Sequence, residues 1–414
     1  MERPTPKLQQ QQAATVQKER AGKTATKVND VIAKLQTYKQ QVTEFDTFCP
    51  MLCVYLEQKL QSFRGGQLKH YYNEWVKLTS DSEILNTVSG LSIDFVNQPT
   101  QNDCPRPYAL SGFEQSVIDD EITKLLSKGV ITTSCHEPGE YFSNVFVRKK
   151  KDGSYRMILN LKGLNRDVEY HHFKMDNIKT VINMMKPKCF MASIDIKDAY
   201  YTVPIAEPDQ KFLKFIWKNT IYKFVCFPNG LAVCPRKFTK LLKPVYATLR
   251  AQGHESSAYI DDSYLQGDTY EDCTHNVIDT VSILDTVGFV THPKKSVFVP
   301  AQEIVFLGFL LNSITMTVKL TSEQACKIQN ACLGLKNSNI KGVPIREVAR
   351  VIGLLISSFP GVQFGPLYYR HIEWDKTGSL KASKGNFDKK MHLSVPAINE
   401  LNGGLPMFSN HTVT

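Results

Sequence analysis

Apolar side chains recur at helical spacing in several separate stretches of this chain. They fall at Val31, Ile32, Leu35, Tyr38, Val42 and Phe45; through Val54, Leu56 and Leu60; at Ile118, Ile122, Leu125 and Leu126; and at Val277, Val281 and Leu284. After Thr321 come Ile328, Leu333 and Leu335, then Val348, Val351, Ile352 and Leu355. Residues three and four apart share one helix face, so each stretch predicts an amphipathic helix. Gly129 and Gly288 follow two of them as natural stops. Shorter apolar runs read as strands. Asn144 to Lys149 and Tyr155 to Leu159 are joined by Lys151-Asp152-Gly153-Ser154, whose Asp-Gly pair is a strong hairpin signal. Residues 189–201 form a short apolar strand that delivers Asp195 at its end, followed by a polar turn into Tyr200 and Tyr201.

Composition changes this picture little. The chain has 414 residues, enough for two or three domains, and 42% are hydrophobic. Fifty basic residues against 40 acids give a net charge of +10, which suits a polyanionic partner without requiring one. Ten cysteines include no CxxC pair, so reduced, mostly buried thiols are expected rather than zinc ligands or disulfides. Neither a signal-peptide pattern nor an apolar run of membrane-spanning length is present, which predicts an intracellular protein, in cytoplasm or nucleus, with no membrane contact.

The sharpest chemistry lies at Tyr259-Ile260-Asp261-Asp262, two adjacent carboxylates at a predicted turn. Asp-Asp in a turn also describes a solvated hairpin tip, because Asp tolerates turn geometry. Asp195 changes the weighing. Nucleotidyl transfer uses one magnesium to acidify the attacking hydroxyl and another to hold the leaving oxygens, and magnesium prefers carboxylate and phosphate oxygens. Asp195 and Asp261 from neighbouring strands would supply them, with Asp262 assisting.

From Ser143 to about Phe309 the chain resembles reverse transcriptases. The motifs run in family order: the fingers hairpin, SIDIKDAYY (193–201), FPNGLA (227–232), YIDD (259–262), a lysine-bearing run and LGF (307–309). The wording of these, with FKM (173–175), CPRKFTKLLKPV (234–245) and FLGFLLNS (306–313), is most similar to DIRS-like, tyrosine-recombinase-bearing retrotransposons. The resemblance covers about residues 113–400. It implies an α+β right-hand polymerase fold of fingers, palm and thumb, with an antiparallel palm sheet and a helical or disordered N-terminal extension.

It also implies roles. Asp195, Asp261 and Asp262 would hold two Mg2+ ions. Lys150 and Arg156 match triphosphate-binding positions, Ala199 lies along the triphosphate, and Tyr200 matches the steric gate that rejects a 2′-hydroxyl. Asn229 stands where retroviral enzymes usually carry Gln, which puts that base contact in question. Lys295 is the candidate general acid for departing pyrophosphate; a plain surface lysine reads the same. Leu307, Gly308 and Phe309 match the primer grip, and Asp198 is expected to be structural. Arg236, Lys237 and Lys240 could meet a phosphate backbone or form a solvated helix face.

The expected segments are a disordered basic, Gln-rich tail (1–27), a helical N-terminal region (28–96), a proline-marked linker (97–112), fingers (113–188), palm (189–318), thumb (319–360) and a connection-like region (361–414). No complete RNase H carboxylate set is present, so template removal would fall to element-encoded RNase H, alongside a recombinase. The expected partners are a primed RNA or DNA template and dNTPs; oligomeric state is not readable. A truncated, non-catalytic nucleic-acid-binding remnant is the alternative. A viral RNA-dependent RNA polymerase fits less well, because its usual Gly before the paired acids is missing.

Overall fold

The computed structural model describes residues 45–149 and 153–404. Helices come first and short strands follow. Helix α1 (Phe45–Ser62) is followed by α2 (Tyr72–Leu78) and α3 (Ser82–Gly90). After a stretch without helix or strand comes α4 (Gly112–Ser127), then strands β1 (Ile131–Ser134), β2 (Val145–Lys149) and β3 (Tyr155–Leu159). Helix α5 (Ile178–Met184) leads to β4 (Phe190–Asp195), the hairpin β5 (Lys214–Trp217) and β6 (Thr220–Phe224), and the long α6 (Cys234–Ala251). Strands β7 (Glu255–Tyr259) and β8 (Asp262–Gly267) precede α7 (Tyr270–Thr286). Four more strands follow, β9 (Val297–Ala301), β10 (Glu303–Phe306), β11 (Phe309–Asn312) and β12 (Thr317–Leu320), then helices α8 (Ser322–Ser338) and α9 (Ile345–Ser358).

The caps explain several boundaries. Ser111 and Glu114 form a capping box at the start of α4, Asp81 accepts the amides of Glu83 and Ile84 at α3, and Thr321 accepts the amide of Gln324 at α8. Each satisfies amides that a helix start leaves unpaired, contributing about 1 kcal/mol. Gly129 ends α4 at φ 64, a left-handed conformation that glycine adopts without a Cβ penalty.

The chain divides into two compact units. The first comprises residues up to Phe173, Asp195–Gly253 and Thr274–Val299. Here the N-terminal helices are part of the packed body rather than an appendage. Trp75 is fully buried, and Leu52, Leu56, Phe63 and Leu68 are buried with it. Val54 is 57% exposed, so α1 turns its Leu52–Leu56 side inward and Val54 to solvent. The predicted helix over Val31–Val42 lies outside the described residues, as does the tail before it. Lys214 is also fully buried. Its ammonium donates to the Cys135 carbonyl at 2.7 Å and pairs with Glu137 and Glu140 at 2.8 and 2.7 Å, and these bonds outweigh burial to keep it charged.

The second unit comprises Lys174–Ile194, His254–Cys273 and Pro300 onward. Its strands β10, β11 and β12 form an antiparallel meander, and its helical part has its own core of Ile328, Cys332, Leu335, Val348, Val351, Ile352 and Leu355. The predicted faces of α8 and α9 therefore do point inward, except Leu333, which is 41% exposed. Gln266 is buried and donates to the Met184 carbonyl at 3.0 Å. A separate four-stranded sheet has the order β7-β8-β4-β9. Among the described residues no helix is long and apolar enough to cross a membrane.

Three basic residues of α6 depart from both sequence readings. Lys237 is buried and contacts Glu83 at 3.1 Å; Lys240 contacts Glu83 at 2.6 Å and Asp81 at 3.2 Å; Arg236 lies 3.5 Å from Glu83. They bind α3 and its cap, because acids that the sequence places about 150 positions away meet them in the fold. Hydrogen bonding from Lys240, opposed by burial and reinforced by Lys237, holds the Glu83 carboxyl at about 2, below its ordinary 4.5. A depressed carboxyl stabilises the fold above its unfolded pKa, and that stabilisation is lost as pH falls through the folded value. Thermal unfolding of Glu83→Gln should therefore give a lower Tm than wild type near neutral pH, with the difference closing between pH 4.5 and 2.

Candidate active site

Asp195 sits at the end of β4, and its backbone is held from both sides. Its amide donates to Ser296 Oγ at 3.0 Å, and its carbonyl accepts from the His292 amide at 2.7 Å. The neighbouring Ile196 bridges Thr291, and the Lys197 amide donates to the Val290 carbonyl at 2.8 Å. Segment 290–296 therefore runs alongside the acid and fixes its position. The Asp195 side chain is only 12% exposed, and Lys295 Nζ lies 3.5 Å from Oδ2. Burial, the largest cause, lowers the His292 imidazole below its usual pKa, so it stays neutral near pH 7 and its Nδ1 accepts the Lys294 amide at 3.2 Å.

Asp198 opens the next turn at φ 50, and its carboxylate accepts from Lys128 at 2.6 Å. Ala199 is buried, and Tyr200 is half-buried with its ring edge-on to Phe238 at 5.5 Å between centroids. Asn229 is exposed, and its side-chain amide donates to the Tyr201 hydroxyl at 3.1 Å. On β3, Arg156 is exposed and stands directly opposite Arg148 of β2. Like charges facing across a strand pair repel unless an anion joins them. Lys150 lies outside the described residues.

In the second unit β7 and β8 form a hairpin whose last pair is Tyr259 with Asp262, leaving Ile260 and Asp261 as a two-residue turn. Ile260 takes φ 54. A β-branched residue in that region is strained, at a cost of about 1–3 kcal/mol, and such strain collects where function fixes the backbone. Asp261 and Asp262 are half-buried. In the four-stranded sheet, β8, which begins at Asp262, is the neighbour of β4, which ends at Asp195.

Leu307 and Gly308 make a second two-residue turn, between β10 and β11, at φ 48 and 84. Both turn residues have positive φ, the conformation that matches strand twist in tight hairpins. Phe309 is buried. Sequence reading singled out the acids but not Ser296, the His292 amide or Lys128; these are ordinary polar groups whose partners lie 70 to 101 positions away, and no local pattern marks them.

Helices and short strands make a mixed fold in which Asp195 ends one central strand and Asp262 begins its neighbour. Residues 147–311 match the family model described as reverse transcriptase (RNA-dependent DNA polymerase). The Tf2-3 and Tf2-7 transposon polyproteins of Schizosaccharomyces pombe are similar at 22% identity over 251 residues and 21% over 249. Each match covers 59% of this chain and 18% of the polyprotein, so the chain spans under a fifth of those relatives. Among solved structures, a foamy viral protease-reverse transcriptase dRH in complex with double-stranded DNA superposes with TM-score 0.60 at 19% identity, covering 83% of this chain and 60% of that one. The foamy viral protein in complex with an RNA/DNA hybrid gives 0.54 at 18%, covering 83% and 46%. The fold is that of the right-hand polymerases, and the part of the chain similar to reverse transcriptases in sequence is residues 147–311.

A Cβ on Gly308 would meet the Gln324 side chain at 2.8 Å in a backbone conformation that L residues rarely adopt. Gly308→Ala should lower stability by about 1–3 kcal/mol in denaturant unfolding. Adding Gln324→Ala should recover only the part due to contact, leaving the cost of the left-handed backbone.

Proposed function

We propose that this chain is an RNA-directed DNA polymerase of a retrotransposon, DIRS-like in its motif wording, that extends a primer 3′-hydroxyl with dNTPs. The observation that carries the reading is the strained Ile260-Asp261 turn leading into Asp262, on a strand whose sheet neighbour ends at Asp195. In this reading residues 113–188 act as fingers, 189–318 as palm and 319–360 as thumb, with 361–414 as a connection.

The donor set suits magnesium. Asp195, Asp261 and Asp262 offer only hard carboxylate oxygens, and Asp195 already accepts a cation, Lys295, beside it. Among the described residues no three His, Cys, Asp or Glu side chains stand together as a preformed cluster. Magnesium keeps waters and substrate phosphates among its ligands and does not need an all-protein cage. Asp195 and Asp261 would hold two ions with Asp262 in support, and the bound metal would acidify the primer hydroxyl and stabilise the leaving oxygens.

The protein's own residues do the rest. Arg156 binds the triphosphate with Lys150, and a guanidinium forms paired bonds to phosphate oxygens. The repulsion between Arg148 and Arg156 is relieved when that anion arrives. Ala199 lets the backbone run along the triphosphate, and Tyr200 excludes a 2′-hydroxyl by repulsion. Asn229 stands at the base-contact position with its amide on the Tyr201 hydroxyl, Lys295 protonates departing pyrophosphate, and Leu307, Gly308 and Phe309 grip the primer. The net +10 charge favours the template-primer duplex.

On poly(rA)·oligo(dT) with magnesium and dTTP, the intact chain should extend the primer, and Asp261→Asn should reduce the rate by about a hundredfold or more, the scale of several kcal/mol of metal stabilisation. Salt-sensitive duplex binding without extension by the intact chain would overturn the reading. Arg156→Ala should raise the KM for dTTP by about tenfold or more while duplex affinity holds, as expected for lost charge-assisted bonds to phosphate.

A further inference from the structure

The N-terminal helices lie upstream of the matched family region, yet they bond directly to the segments that carry the site. Within the first unit, Gln67 is buried and its side-chain amide donates to the Gly288 carbonyl at 2.7 Å. Trp75 Nε1 donates to the Val287 carbonyl at 3.0 Å. These two carbonyls end α7 and begin the run to His292 and Ser296, the two groups that hold the Asp195 backbone. The Gly66 amide donates to the Tyr201 carbonyl at 2.7 Å, one residue from Tyr200.

Aromatic packing makes a second route. The Trp75 ring meets Phe289 edge-on at 6.1 Å between centroids, Phe289 meets Phe238 at 5.8 Å, and Phe238 meets Tyr200 at 5.5 Å. Trp75, Phe289 and Phe238 are all buried, and close-packed interiors transmit displacement rather than absorb it. Gly288 leaves no slack, since a Cβ there would run into the Tyr71 ring.

We propose that Gln67 and Trp75 are positioning residues for nucleotide addition. Through the 287–296 segment they fix Asp195, and through Phe289 and Phe238 they fix the ring of Tyr200. The N-terminal helices thus set both the acid and the sugar gate, a role that rests on the polymerase reading above. Neither residue touches substrate. A purely architectural role would change how much protein folds, but not how the folded fraction chooses its nucleotide.

The test uses the full chain with Gln67→Met and Trp75→Phe, each of which removes the donor and keeps most of the volume. The selectivity for dTTP over UTP on poly(rA)·oligo(dT) is a ratio independent of the folded fraction. It should fall by about three- to tenfold in each variant, the scale of one lost hydrogen bond. Amide hydrogen exchange gives a readout that needs no activity. Peptides covering 190–198 and 287–297 should exchange faster in both variants, with peptides covering 155–159 unchanged. Unaltered selectivity and unaltered exchange at 190–198 would overturn the proposal. If the intact chain extends no primer, the polymerase reading fails, and the exchange comparison alone decides whether the N-terminal helices hold Asp195.

Discussion

Everything at this site depends on holding a carboxylate still at the end of a strand. A strand end is a poor anchor, because ladder bonding stops there and the next residues are free to turn. Here the missing bonds are replaced. Ser296 and His292 take the amide and carbonyl of Asp195, and the following residues pair with Thr291 and Val290. The acid is therefore fixed through its backbone, leaving its oxygens to accept what comes. Lys295, arriving on the same segment, brings a positive charge to 3.5 Å, which offsets the cost of keeping the carboxylate largely out of water.

The turns obey a related constraint. At Ile260 and at Leu307 bulky residues adopt positive φ, where glycine would be easier. The Leu307-Gly308 turn needs this geometry to match the strand twist on either side. Ile260 has no such second glycine, and the strain is kept in place by the ladder from Glu255–Gln266 to Tyr259–Asp262. The sheet spends some of its stability there on the direction in which Asp261 leaves the strand.

Much of this was legible in the sequence where the signal is local. The helix faces of α4, α7, α8 and α9 follow the apolar spacing, with Leu126 and Leu333 turned outward, and β2 pairs with β3 on either side of the expected hairpin. What escaped is long-range. Lys237 carries no mark of burial in its own neighbourhood; it is buried because Glu83 of α3 and Asp94, in the stretch after that helix, come to it. Lys214 is buried for the same reason, with Glu137 and Glu140 supplied by the loop after β1. A charged side chain reads as surface until its partners are known, and pairing is a property of the fold rather than of the local pattern.

The N-terminal helices are the clearest case. From spacing alone they read as a helical N-terminal region set off by a proline-marked linker, with nothing to say what they pack against. A separable module would bury its apolar face within itself. This one instead directs its bulkiest side chain, Trp75, onto Phe289, and gives its polar donors to carbonyls more than 200 positions away. Buried donors that find their acceptors only in another segment leave unpaired polar groups if that segment is removed, on both sides of the cut. The helices and the strand-end acid therefore belong to one cooperative structure, and the matched family region is not the whole of what builds the site.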